Sequence, residues 1–216
     1  MEMMTANRPI PQKREEKLNI WSHALGIVLA IVGSAVLLHR DPGNIPYLTG
    51  SLRVYCISLI LLFSASTAYH ATVDPKLRKK LRILDHISIY YLIAGTYTPI
   101  CLALLLGSKG WLLFYLVWGI ALFGTVIKIF FTGKYEVFSL VLYGVMGWLI
   151  VIDLPYLLEV LSPEGILYFA LGGGSYTLGI LFYAVKKIPY NHFIWHLFVL
   201  GGAFFHWLLI FGLLGG

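Results

Sequence analysis

Residues 191–213, NHFIWHLFVLGGAFFHWLLIFGL, contain no aspartate, glutamate, lysine or arginine. At about 1.5 Å per residue, a helix of this length covers the roughly 30 Å of a bilayer's hydrocarbon. The stretch follows the basic pair Lys186-Lys187 and the breaker Pro189, and it reads as a membrane-spanning helix. Back along the chain, six more apolar runs of spanning length lie at approximately 19–38, 51–71, 84–105, 111–131, 137–155 and 164–185. They are separated by Asp41-Pro42-Gly43-Asn44, Asp74-Pro75, Gly107-Ser108-Lys109-Gly110, Thr132-Gly133-Lys134 and Ser162-Pro163-Glu164. Asp153 and Pro155 crowd the end of the fifth run, and Lys128 trims the fourth, where a lysine near a helix end can snorkel. The expected fold is an all-α integral membrane protein: one seven-transmembrane helix bundle over residues 18–216, preceded by a polar tail over 1–17. That tail is expected to be uncleaved and mostly disordered.

Composition points the same way. Of 216 residues, 59% are hydrophobic and 12% charged, and the mean hydropathy is +0.81, which excludes an ordinary soluble domain. Direction follows from the 16 basic residues. Arg8, Lys13, Arg14 and Lys17, the run Lys76 to Arg82, Lys128, Lys134, Lys186 and Lys187 fall on one side, leaving only Arg40, Arg53 and Lys109 on the other. The positive-inside rule then puts the amino terminus in the cytoplasm and the carboxyl terminus outside, in the cell's inner (plasma) membrane. The net charge of +6 is thus a topology signal, and no aromatic-basic motif for nucleic acid appears. Cys56 and Cys101 lie inside apolar runs and read as small core residues. Trp21, Trp111 and Tyr190 fall near the expected interfaces, as an aromatic belt would.

The chemistry is expected in a few polar residues at one depth. His70 lies six residues before Lys76, His192 five after Lys187, His196 one turn deeper, and Asp85 three after Arg82. Ser66 is one turn from His70 on the same helix face. An His-x-x-x-His pair plus a third imidazole suits zinc, leaves one coordination position open, and so has the pattern of a catalytic site. Asp85 is then a candidate general base or hydrogen-bond acceptor, and Ser66 a group that fixes water or a substrate carbonyl. Blander readings stand beside these. The histidines can bond water or headgroups, Asp85 can pair with Arg82, and Ser66 can bond the carbonyl one turn back. His23 is expected to bond Asn19 and Glu16, His86 to point about 100° away from Asp85, His206 to hydrogen-bond in the bundle interior, and His39 to lie solvated in an outer loop. Pro99 is expected to kink the third span, with Thr96 or Thr98 satisfying the freed carbonyl. Gly144-Val145-Met146-Gly147, Gly172-Gly173-Gly174 and Gly201-Gly202 are expected to permit close helix packing.

Several of these stretches carry a resemblance. Ser66-Thr67-Ala68-Tyr69-His70, Leu84-Asp85-His86 leading into Ala94-Gly95-Thr96-Tyr97-Thr98-Pro99, His192-Phe193-Ile194-Trp195-His196, and Glu16-x-x-Asn19-x-x-x-His23 are similar to signatures of the haemolysin III family. That family is the bacterial branch of the progestin and adipoQ receptor group. The resemblance implies a seven-helix bundle and a zinc ion held by His70, His192 and His196, with Ser66 and Asp85 as supporting or catalytic partners. It also implies kinship with alkaline ceramidases, which hydrolyse lipid amides. The leading expectation is a zinc-dependent hydrolase of a membrane lipid amide or ester at the cytoplasmic side. The alternatives are a non-enzymatic zinc-stabilised regulator or sensor of membrane state, and a pore-forming haemolysin.

Overall fold

The computed structural model describes residues 10–214, and among them every regular element is helical. The order is α1 (Ile10–Arg40), α2 (Leu48–Ala71), α3 (Pro75–Pro99) running into a π turn (Ile100–Leu104), and α4 (Gly110–Phe131). Then come α5 (Glu136–Trp148), a 3-10 turn (Leu149–Asp153) joining α6 (Leu154–Val160), α7 (Pro163–Ala184) and α8 (Asn191–Gly212). Seven helical stretches are long and apolar enough to cross a membrane, the fifth being the composite Glu136–Val160.

Three boundaries differ from the expectation, each for a local reason. Residues 10–17 of the expected tail are helical, while 1–9, with Arg8, lie outside the described residues. Lysine, arginine and glutamate are good helix formers, and the carboxylates of this turn find partners on neighbouring helices. The third helix starts at Pro75 instead of residue 84. Asp74 caps it by accepting from the Leu77 amide at 2.7 Å, and Pro75 occupies a first-turn position where no amide is needed. The fifth span runs on past Asp153, whose carboxylate accepts from the Ser108 hydroxyl at 2.8 Å and the Lys109 amide at 2.9 Å. Pro155 then sits in the first turn of α6, where it is tolerated.

At Pro99 the threonines act, but not on the freed carbonyl. A hydroxyl reaches the carbonyl four residues back, so Thr96 donates to Leu92 and Thr98 to Ala94, at 2.8 and 2.7 Å. The carbonyl that Pro99 leaves without a donor belongs to Gly95, and the chain beyond widens into the π turn.

Packing forms two apolar clusters. Tyr90, Cys101, Leu113 and Met146 centre one among α3, α4 and α5; Leu52, Tyr55, Phe63 and Val199 centre the other among α1, α2 and α8. Cys56 and Cys101 are buried free thiols, as expected of core residues. Helix α7 packs against α8 but scarcely against α5. That gap corrects the reading of the glycines. Gly172 and Gly202 do admit close approaches, to the His206 and Tyr176 rings. Gly144, Gly147, Gly173 and Gly174 face open space instead, and they line a cavity of about 660 Å³ between α3, α5, α7 and α8.

Candidate metal centre

The last turn of α2 and the first two turns of α8 bring three imidazoles together at the basic end of the bundle. Ring centroids are 4.9 Å apart for His70 and His192, 5.0 Å for His70 and His196, and 4.8 Å for His192 and His196. One nitrogen from each lies within 4.8 Å of the others. A tetrahedral zinc with Zn–N of about 2.0 Å needs these nitrogens about 3.3 Å apart, so small ring rotations close the set.

The second nitrogen of each ligand decides whether such a set is built for a cation. His70 Nδ1 donates to Glu16 Oε2 at 2.7 Å, while its Nε2 is buried with no hydrogen-bond partner. Ser22 Oγ donates to the Asn19 carbonyl at 3.0 Å, so it is free to accept from His196 Nδ1, 3.3 Å away. Both rings are therefore held with Nδ1 protonated, which leaves Nε2 as the nitrogen with a free lone pair. A carboxylate or hydroxyl behind a ligating histidine, fixing tautomer and orientation, is what metal centres need. An orphaned imidazole nitrogen in a dry interior is otherwise an uncompensated cost. The residues present fit a divalent ion of zinc's preferences.

Helix α1 supplies this support. Glu16 also accepts from Arg78 at 2.8 Å, and Arg78 donates in turn to the carbonyls of Tyr69 and Thr72 at the end of α2. Glu15 Oε1 accepts from the backbone amides of His192 and Phe193 at 3.1 and 3.4 Å. It caps α8 from another helix, because Tyr190 (φ 57) offers no side-chain cap. The sequence reading assigns Glu15 no role and pairs Glu16 with His23, since Glu16, Asn19 and His23 share a face at helical spacing. Since Glu16 reaches the cluster through His70 Nδ1, Glu16→Gln is expected to weaken metal affinity about tenfold while the fold persists. Competition against a chromophoric chelator measures it; unchanged affinity would remove Glu16 from the centre.

His23 does not bond Asn19 and Glu16. Glu16 is taken by His70 and Arg78, and His23 lies about 10 Å further along α1. Its ring stacks on His196 at 3.6 Å between centroids and 12° between planes, edge-on to Phe63, and both its nitrogens are buried without partners.

Asp85 is buried on α3 beside the cluster, and it shares the cavity wall with Ser66. Arg82 turns away from Asp85 and pairs with Glu136 at 3.1 Å. His86 points to the other side, its Nδ1 3.6 Å from Glu136 Oε2. His206 stands deeper in the bundle against Tyr176, and its Nδ1 has no hydrogen-bond partner among the described residues. His39 is exposed, but in the last turn of α1, not in a loop.

The cluster sits where two spaces meet. The 660 Å³ cavity, mostly apolar, ends at Ser66, Asp85, His192 and His196. A polar pocket of about 320 Å³, lined by Glu15, Glu16, Arg78 and Tyr69 among others, reaches His70 and His192 from the opposite side.

A sequence profile of the family described as Haemolysin-III related matches residues 11–207. The chain is 40% identical to Hemolysin-3 of Bacillus cereus over 191 residues, covering 88% of this chain and 87% of that protein. It is 41% identical to the Hemolysin-3 homolog of Bacillus subtilis (strain 168) over 192 residues, covering 88% and 90%. It is also 33% identical to the Monocyte to macrophage differentiation factor of Homo sapiens over 211 residues, covering 93% and 84%. No solved structure matches. Seven spanning helices and these relatives make the protein a multi-pass plasma-membrane protein. With nearly its whole length matched by the profile, this chain belongs to the haemolysin-III-related family.

Proposed function

We propose that the protein is a zinc-dependent hydrolase that cleaves an amide or ester bond of a membrane lipid at the cytoplasmic side. The observation that carries this reading is the convergence of three imidazoles, a buried carboxyl and a serine beside a mostly apolar cavity of about 660 Å³, room enough for an acyl chain. The cytoplasmic assignment follows from the excess of lysine and arginine at that end. A zinc ion held by His70, His192 and His196 would supply Lewis acidity where the lipid carbonyl arrives. The chain's own residues do the rest. Apolar side chains of α3, α5 and α7 take the acyl chain and exclude bulk water from the carbonyl. Asp85 accepts the proton of the attacking water and returns it to the leaving nitrogen or oxygen, and Ser66 holds that carboxyl in place. Glu16 and Ser22 keep two ligands in the tautomer the ion needs.

The test is release of fatty acid from labelled ceramides and acyl glycerolipids by zinc-loaded protein. Turnover is expected to fall to background in Asp85→Asn while zinc stays bound. Absence of turnover by the wild type on every lipid tried, or full activity in Asp85→Asn, overturns the hydrolase.

One observation favours a second reading. The supporting bonds of His70 and His196 tie α1, α2 and α8 together around the site, so a bound ion would also act as a staple. A zinc-stabilised regulator without turnover then predicts loss of thermal stability on chelation and no lipid consumed. A conducting pore is less favoured, because the cavity wall is mainly apolar.

A further inference from the structure

Against the wall of the large cavity stands a cation that the metal centre does not use. Lys186, in the turn between α7 and α8, places its Nζ 3.6 Å from the centroid of the Tyr183 ring. Tyr183 lines the cavity and meets His192 edge-on at 5.5 Å, so this ammonium rests on a ring shared by the cavity wall and the histidine cluster. Its helix end is fixed, because Asn191 Nδ2 donates to the Tyr183 carbonyl at 3.2 Å. Among the described residues Lys186 forms no ion pair; Glu136 and Glu15 lie within electrostatic range but not in contact. Arg82 of α3 keeps its side chain 40% exposed while pairing with Glu136, which itself lines the cavity.

We propose that Lys186, standing on Tyr183 and flanked by Arg82, receives the phosphate of an anionic phospholipid whose acyl chain fills the cavity, so that anionic phospholipids are the lipids the site selects. This rests on the reading of the cavity as a lipid site and names the lipid class. An acyl chain seated between α5 and α7 with its carbonyl at the histidines leaves its headgroup at the basic end of the bundle. There the headgroup meets one unpaired ammonium and one exposed guanidinium, with the lysine oriented by the ring beneath it. A zwitterionic headgroup brings its own cation to that position and loses the advantage. The remaining lysines of this end, such as Lys76, Lys79, Lys80 and Lys187, are exposed and raise the local potential, whereas Lys186 stands on a ring that lines the cavity.

The experiment is native mass spectrometry of the metal-loaded, detergent-purified protein titrated with phosphatidylglycerol and with phosphatidylcholine of identical acyl chains. Phosphatidylglycerol is expected to bind about fivefold more tightly, the effect of one cation at a membrane surface. Lys186→Gln is expected to abolish the preference and leave phosphatidylcholine binding unchanged. Gly173→Leu and Gly174→Leu, at positions where a Cβ meets nothing within 4 Å, fill the cavity and are expected to reduce both lipids alike. Equal binding of the two lipids by the wild type, or a preference that survives Lys186→Gln, overturns the headgroup site alone. Lipid binding untouched by both glycine variants strikes instead at the lipid cavity on which the proposal rests. Glycerol phosphate, which has no acyl chain, is the remaining arm. If it binds with the same dependence on Lys186, the site is one for soluble phosphate and the proposal fails.

Discussion

His196→Ala is expected to purify with less than about a tenth of the zinc carried by the wild type, which should hold one ion per chain. Structural zinc sites release about 10–16 kcal/mol through four ligands, so one imidazole accounts for roughly 3 kcal/mol, at least a hundredfold in affinity. His196 is the ligand to remove because it is held from two sides, by Ser22 at Nδ1 and by the stacked ring of His23. Its loss leaves His70 and His192 with no third nitrogen within reach. Both nitrogens of His23 are free of partners, but that ring stacks face-to-face on His196 instead of pointing into the cluster. The control is His206→Ala, about 15 Å further along α8, which should keep its metal. Thermal unfolding gives an independent reading. An ion present at a thousand times its dissociation constant stabilises the native state by about 4 kcal/mol, so chelation should bring the wild type down to the variant's midpoint and leave the variant unmoved. A wild type that purifies without a divalent ion, or a variant that retains it, removes the metal centre.

The fold was legible because hydropathy is a one-dimensional signal. Any run near 20 apolar residues must become a helix in lipid, where backbone groups have no other partner, so the seven spans needed no knowledge of how they pack. The convergence of three imidazoles was legible for a similar reason: depth along a straight helix is a residue count, and His70, His192 and His196 shared a depth. What failed was information about rotation and about neighbours. Glu15 and Glu16 were assigned to a disordered tail because hydropathy ends at about residue 19, yet their partners, the amides of α8 and the ring of His70, lie 177 and 54 positions away. The motif spacing Glu16, Asn19, His23 contained their common face, but not which helix that face would meet. The glycines show the same limit in reverse. A small residue permits contact without requiring it, and Gly144, Gly147, Gly173 and Gly174 keep two helices smooth where a cavity lies between them.

Lys128 is the residue whose sequence reading was most altered, and Glu136→Gln is the substitution that exposes why. A lysine near a helix end was expected to snorkel toward water. Instead its side chain is 2% exposed and its Nζ lies 3.2 Å from Glu136 Oε2. Glu136 also pairs with Arg82 and accepts from the amide of Gly133, whose φ of 89 turns the chain from α4 into α5. One carboxylate thus neutralises two cations and caps a turn. Glu136→Gln keeps the shape and a carbonyl acceptor for Gly133, but leaves an ammonium buried without a counter-charge. Removing one partner of a buried pair costs about 3–5 kcal/mol, and since Glu136 is a third exposed the expected loss is nearer 2 kcal/mol. Lys128→Met in the same chain should recover most of that loss, because the methionine fills the volume and brings no charge. The pair is therefore non-additive, and chemical denaturation of wild type, both single variants and the double variant measures the coupling directly. Equal stability of Glu136→Gln and wild type would mean that water reaches Lys128, and that the buried network holds nothing where α4 turns into α5.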